Sequence, residues 1–317
     1  MMSLKVKTNR LICGDSDFVF RGVSIPDIVY LEGVEHQDIF LVIDWIKDLG
    51  FNCVRVPILP GHFIYYPNYL KNKILPVVDY LEKKGLYCIL DWHAIGNPLY
   101  NQTRLQEYFH KNKDKIIYWY LADLDVAKKG LKDLVQLFGK RNHILFEVFN
   151  EPAPGEKEIP RLGLSPLPWK KWKKSLNEII RIIRENSNNI IIVSSPYWTH
   201  HINLSAKDPI DDENIAYSFH TYPTKNNEKW KELLNKANKL PIIITEWGFD
   251  TDKKLSQYYV SNDKYGKSIL NYCKKNNISW IAWCFSSKWR PKMVKEWNLK
   301  KLTFFGKLVI SYLKIKL

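Results

Sequence analysis

The chain lacks paired cysteines, a long apolar run and a glycine-rich phosphate loop. Its five cysteines, Cys13, Cys53, Cys88, Cys273 and Cys284, are odd in number and scattered, and none forms a C-x-x-C pair. This argues against a disulfide framework. Cys53, Cys88 and Cys284 fall in strand-like runs, where a free buried thiol is the ordinary state. No stretch reaches the roughly 18 consecutive apolar residues of a membrane span, so no membrane partner is expected. Residues 1–5 open without an apolar core, so no signal peptide is visible there. Acidic residues are scarce against basic ones, 33 against 48, for a net charge of +15. Lys170, Lys171, Lys173 and Lys174 lie beside apolar residues in a helical pattern, which reads as a solvated helix face. Zinc-finger spacing and an aromatic RNA-binding signature are also missing, so no nucleic-acid partner is expected.

What is present is a large apolar budget: 317 residues, 45% of them apolar, with 12 Trp and 18 Tyr. Such a chain can bury a sizeable core, and flat rings in this number serve both core packing and stacking on sugar faces or bases. Apolar strand-like runs alternate with amphipathic helical stretches. The strands fall at residues 18–24, 53–58, 87–94, 144–149, 190–195, 216–222, 241–248 and 278–285. Helices are predicted at 36–49, 69–84, 126–138, 169–185, 228–238, 264–276 and 304–313, with Pro76 either kinking the second or marking its start. A further helix is expected just before Val126, and the connection between the fifth and sixth strands shows no clear helical pattern.

Eight strands with crossover helices predict an α/β fold, a (β/α)8 TIM barrel, as a single domain over 1–317. The competing fold is a doubly wound open sheet. It would carry a glycine-rich loop after its first strand, and Arg21, Gly22, Val23, Ser24, Ile25 and Pro26 do not form one.

Polar residues collect where these strands end. They are Arg55, His93, Asn150 with Glu151, His220 with Tyr222, and Glu246, with Trp283 as a flat wall. A lone strand-end His or Arg is most often structural, but six strand ends marked in this way point together to the mouth of a barrel. The stretch around Glu151 is the clearest case: an apolar strand from Ile144 to Phe149 runs into Asn150, Glu151 and Pro152. Glu151 and Glu246, on the fourth and seventh strands, would face each other. Facing carboxylates suit glycosidic bond cleavage, in which one is protonated to donate to the leaving oxygen and, in the retaining version, the other attacks the sugar carbon. Glu147 is expected to point into the barrel and to pair with Arg21.

The segments Phe149, Asn150, Glu151, Pro152 and Ile244, Thr245, Glu246, Trp247, Gly248 resemble the signature strands of glycoside hydrolase family 5, the cellulase-like family of clan A. The likeness continues through Val54, Arg55, Val56, Pro57, through Asp91, Trp92, His93, through His220, Thr221, Tyr222, and through Trp283, in order along nearly the whole chain. It implies Glu151 as acid/base and Glu246 as nucleophile. Asn150 and His93 would bind sugar hydroxyls, His220 would support Glu151, Tyr222 and Arg55 would hold Glu246, and Trp283 would stack under the sugar. Trp198 is the candidate for an additional sugar platform, against packing under a loop. The implied activity is a retaining endo-β-1,4-glucanase, with a mannanase or a mixed-linkage glucanase as alternatives within the family. Outside it stand a sugar-binding barrel without catalysis and a metal-dependent hydrolase. Neither a His-x-His ending the first strand nor a better donor pair than the adjacent His200 and His201 supports the latter. The expected partner is a polysaccharide or oligosaccharide, with no cofactor and no metal, and the chain is expected to be a monomer. Residues 153–168 and 251–263 match no pattern, although loops of this kind set the outer sugar contacts.

Overall fold

The computed structural model describes residues 1–103, 119–223, 229–253 and 257–314. Eight parallel strands close into a barrel in sequence order: β1 (Arg21–Ser24), β2 (Cys53–Ile58), β3 (Tyr87–Trp92), β4 (Ile144–Glu147), β5 (Ile191–Ser194), β6 (Ile215–Thr221), β7 (Ile242–Trp247) and β8 (Ser279–Ala282). Each overlaps one of the eight strands read from the sequence. The barrel closes between β8 and β1, where Trp280, Ile281 and Ala282 pair with Arg21, Gly22 and Val23.

Alternation along each strand builds two cores. Outward residues such as Val54, Val56, Cys88, Leu90, Ile191, Val193, Ile242 and Ile244 join the helices in one large cluster. Inward residues at the N-terminal end, among them Phe20, Cys53, Ile89, Leu145, Ile192, Ile243 and Ile281, form a second cluster. Gly22 belongs to this inner layer. A Cβ there would lie 2.4 Å from Ile281 Cδ1 and 2.9 Å from the Cys53 carbonyl oxygen, so only glycine lets β1 and β8 close at this point.

The lower end of the barrel is plugged by a small antiparallel sheet, Leu4–Lys7, Arg10–Cys13 and Ser16–Phe18, whose Leu4 and Leu11 join the inner cluster. The sequence reading starts regular structure at Phe18 and misses this plug, because its strands are short and largely exposed. The helix read at 69–84 begins with a π-helical turn, Leu70–Ile74, and runs on as α-helix over Leu75–Lys83, so the widened turn lies directly before Pro76. Between β5 and β6 lies only the short helix Ile202–Lys207. Most of the stretch read as helical before Val126, together with residues 224–228 and 254–256, lies outside the described residues. The five cysteines are free thiols. Among the described residues, no helix is long and apolar enough to cross a membrane.

Candidate active site

The C-terminal ends of the strands carry the polar layer. Strand alternation alone would send Glu246 outward, since it stands two residues from the outward-facing Ile244. A register shift corrects this: Phe219 pairs with Ile244 but His220 pairs with Glu246, which leaves Thr245 as an extra residue. Such a bulge turns the next side chain to the other face. Thr245 and Glu246 therefore both point into the mouth, while Trp247 is fully buried in the outer core.

Arg55, fully buried on β2, is the hub. Its Nε donates to Glu147 Oε2 at 2.6 Å, Nη1 to Glu246 Oε1 at 2.8 Å and Nη2 to Asn150 Oδ1 at 2.7 Å, and Nη2 also lies 3.0 Å from Asp91 Oδ2. Burial works against its charge, but Asp91, Glu147 and Glu246 hold the guanidinium charged well above its ordinary range. Burial pushes Asp91 up to about 7 against the pull of Arg55. Glu147 is raised in the same way. Glu147 thus points into the barrel as expected, but its partner is Arg55. Arg21 cannot serve: it alternates with the inward Phe20 and Gly22, so its side chain faces outward, toward Leu270, Cys273 and Tyr312.

Glu246 is held at both oxygens, since Tyr222 Oη donates to Oε2 at 2.8 Å. Glu151 follows the end of β4 in a two-residue strand, Glu151–Pro152, that pairs with Ile95–Asn97. Its N–H donates to the Ala94 carbonyl at 3.0 Å, and the Asn150 N–H donates to Trp92 O at 3.0 Å. Pro152 has no N–H to give, but its carbonyl accepts from Trp198 N at 3.0 Å. The Glu151 side chain keeps 18% of its surface open against 6% for Glu246, so it is the more reachable from the cleft. Burial raises its pKa, with His93, His200 and Arg55 opposing.

His220 Nδ1 lies 2.9 Å from Glu151 Oε1, and its Nε2 lies 3.1 Å from Thr245 Oγ1, which in turn is 2.5 Å from Ser218 Oγ. Burial lowers His220 to about 4, so the ring is neutral at neutral pH. His93 is likewise lowered to about 4 by burial and by Arg55, and its Nδ1 meets Asp91 Oδ2 at 2.5 Å. One donor atom each from Glu151, His220 and Glu246 lie within 4.8 Å of one another. The two carboxylates therefore face each other at short range.

Trp283, on the segment after β8, stacks with His93 at 5.4 Å and 6°. Trp198 is half-buried, and Tyr197 meets it edge-on at 5.2 Å. Tyr197, Trp198 and Thr199 have φ values of 62°, 52° and 67°, a left-handed turn costing about 1–3 kcal/mol per non-glycine residue. It is fastened to the site at the Pro152 carbonyl and through Thr199 Oγ1, which accepts from His220 N at 2.6 Å.

All nine candidate site residues thus lie at one end of the barrel. Sequence reasoning missed others there. Thr245 stood inside the quoted signature, but the bulge was not foreseen. Asp91 stood inside the quoted stretch with Trp92 and His93, but the sequence assigned it no role. Tyr258 stacks on Tyr222 at 4.3 Å and 25°, and Trp289 stacks on Trp283 at 5.6 Å and 29°. Both lie in loops, where no period marks which aromatic turns inward.

A parallel barrel whose mouth carries two facing glutamates, an arginine hub and aromatic walls defines a glycoside hydrolase site. The comparison with known families agrees. Residues 18–289 match the model of the cellulase family, glycosyl hydrolase family 5, and the chain belongs to that family. Among curated relatives, it is 27% identical over 318 residues to cellulase CelDZ1 of Thermoanaerobacterium sp, covering 93% of this chain and 75% of the relative. It is 25% identical over 287 residues to an endoglucanase of Bacillus sp. strain KSM-635, covering 84% of this chain but 28% of that much longer protein. Among solved structures, the native β-glucanase SdGluc5_26A of Saccharophagus degradans superposes with a TM-score of 0.82 at 24% identity, covering 98% of this chain and 92% of that one.

Proposed function

We propose that the chain is a retaining endo-β-1,4-glucanase acting by double displacement, with Glu246 as nucleophile and Glu151 as acid/base. The observation that carries this is the approach of the two carboxylates, with facing oxygens within 4.8 Å. An inverting pair stands about 6.5–9.5 Å apart to admit a water, and a retaining pair about 5–5.5 Å. Tyr222 and Arg55 hold one oxygen of Glu246 each and aim the carboxylate at the anomeric carbon. Attack forms the glycosyl–Glu246 bond while the bond to the leaving oxygen breaks, and Glu151 donates its proton to that oxygen. Water then attacks the same carbon, gives its proton to Glu151 and frees Glu246.

The elevated pKa of Glu151 suits the first role. Neutral His220 suits both: its Nδ1 accepts from protonated Glu151 and, as the other tautomer, donates to the ionised form, with the Thr245 and Ser218 hydroxyls free to rotate in step. Asn150, its oxygen fixed by Arg55, has its amide group left to bind a sugar hydroxyl. His93 serves a second hydroxyl, and Trp283 and Trp198 supply stacking surfaces. A glucan rather than another β-glycan is supported by the relatives, a cellulase and an endoglucanase, and by the complex of SdGluc5_26A with cellotetraose. A β-mannanase of Thermomonospora fusca also shares the fold, with a TM-score of 0.70 at 20% identity.

Hydrolysis of carboxymethylcellulose, barley glucan, glucomannan, galactomannan and xylan by the intact protein, beside Glu246→Gln and Glu151→Gln, tests the reading. Release of sugar from the β-1,4-glucans, lost on the same substrates in both variants, is the expected result. A preference for mannan backbones would move the substrate within the family. Activity surviving in Glu246→Gln would overturn the mechanism.

A further inference from the structure

Glu35 is a buried carboxylate on the loop between the helices Ile28–Gly33 and Ile39–Asp48, and nothing in the reaction above uses it. It accepts four hydrogen bonds, all from neutral donors of the segment that follows β8. Ser286 Oγ donates to Oε1. Oε2 takes Ser287 N at 2.8 Å, Ser287 Oγ at 2.6 Å and Trp297 Nε1 at 2.9 Å. Ser286 Oγ also accepts from the backbone N–H of Lys288 at 2.9 Å and of Trp289 at 2.8 Å. The backbone of Trp289 is thus joined to Glu35 through one hydroxyl.

What this clasp holds in place is an aromatic row. Trp289 stacks on Trp283 at 5.6 Å and 29°, and Tyr30 packs on its other side at 5.2 Å and 47°. Trp283 in turn stacks with His93, which sits on Asp91 beside the Arg55 hub. The row therefore leads outward from the carboxylate pair, and Trp289 and Tyr30 are only half-buried. A buried charge is costly to retain, and a carboxylate met by four donors has no equivalent in glutamine, whose amide oxygen alone accepts. A loop that needed only anchoring would be served by apolar packing. A fixed four-bond geometry instead sets the angle at which Trp289 meets Trp283.

We propose that Glu35 is a positioning residue for glycan binding: it holds the loop after β8 so that Trp289 stays stacked on Trp283 and fixes that indole beside the carboxylate pair, where it meets the sugar. This rests on the carbohydrate reading above.

The test compares Trp289→Ala, Glu35→Ala and Glu35→Gln with the intact protein, using barley glucan for kinetics, cellotetraose for binding by titration with Glu246→Gln added to each protein so that the ligand is not cleaved, and near-ultraviolet circular dichroism for the coupled indole pair. Trp289→Ala is expected to raise KM about five- to tenfold with a much smaller fall in kcat. Glu35→Ala should reproduce both that split and the loss of the indole couplet, with Glu35→Gln in between. A Glu35→Ala protein that keeps the couplet and the original KM overturns the proposal. So does one that loses kcat with KM unchanged. If Glu35→Ala does not fold, Ser287→Ala, which removes one of the four donors, is read in the same way. If the intact protein cleaves no glucan, the proposed activity fails, while the dichroism and the titration still decide the role of Glu35.

Discussion

The two ends of the barrel are built from the same alternating strands and do opposite work. At the N-terminal end the inward positions are Phe20, Cys53, Ile89, Leu145, Ile192, Ile243 and Ile281, closed off by Leu4 and Leu11 of the plug. Two to four residues further along the same strands, the inward positions are Arg55, Asp91, Glu147, Ser218, His220, Thr245 and Glu246. The lower layer gains stability from burial of apolar surface. The upper layer gives up that gain to hold three carboxylates and one guanidinium out of water, which is tolerable only because nearly every group there has a partner. Stability and chemistry are thus separated along the barrel axis, and substitutions at the two ends should be separable in the same way.

The sharpest break is Glu246→Gln. We expect kcat on glucan to fall about 10⁴-fold or more, with little change in Tm, because the amide keeps the volume and one acceptor but no nucleophile. Substantial residual turnover would mean that the mouth is not organised around this carboxylate.

Glu151→Gln should cost about 10²–10⁴-fold on glucan, and far less on an aryl glycoside whose leaving group needs no proton. This variant also isolates a pH effect. Glu151 is raised by burial, and the first step needs its protonated form. Activity of the intact protein should therefore hold at pH values below this raised pKa and decline as pH rises through it. Glu151→Gln assayed with the aryl substrate should lack that alkaline limb, and a limb that persists would assign it to another group.

Arg55→Met connects the two ends. It leaves Asp91, Glu147 and Glu246 facing one another without their cation, so a loss of about 3–5 kcal/mol in denaturant unfolding should accompany the loss of activity. Ile243→Ala in the lower layer should cost a comparable 2–5 kcal/mol or so while leaving kcat/KM near the original value at temperatures where the protein stays folded. If Ile243→Ala impaired catalysis as severely as Arg55→Met, the separation between layers would not hold.

The sequence revealed the barrel because period-two alternation and helix periodicity are local and repeat eight times. It revealed the site because polar residues interrupt apolar runs at the strand ends. Three features stayed hidden for reasons that are physical. The bulge at Thr245 is a matter of register between two strands, and neither strand alone records it. The aromatic contacts of Tyr258 and Trp289 depend on loop paths that carry no period. The plug at residues 4–18 has strands too short and too exposed to stand out from a loop.

The pairing of Glu147 is the instructive error, and it yields the smallest prediction. Two charges sat in apolar runs of the first two strands, Arg21 and Arg55, and either offered Glu147 a partner by composition. Parity decides between them: Arg55 shares the inward face with Cys53, whereas Arg21 lies between the inward Phe20 and Gly22 and turns outward. There it lines a small depression with Leu270, Lys274 and Tyr312, near the surface, where its methylenes can cover apolar groups and its head meets solvent. Arg21→Met should therefore shift unfolding by no more than about 1 kcal/mol and leave activity intact. The same substitution at position 55 should abolish function. The contrast turns on which face of its strand each arginine occupies, since residue type and sheet are shared and the two strands are adjacent.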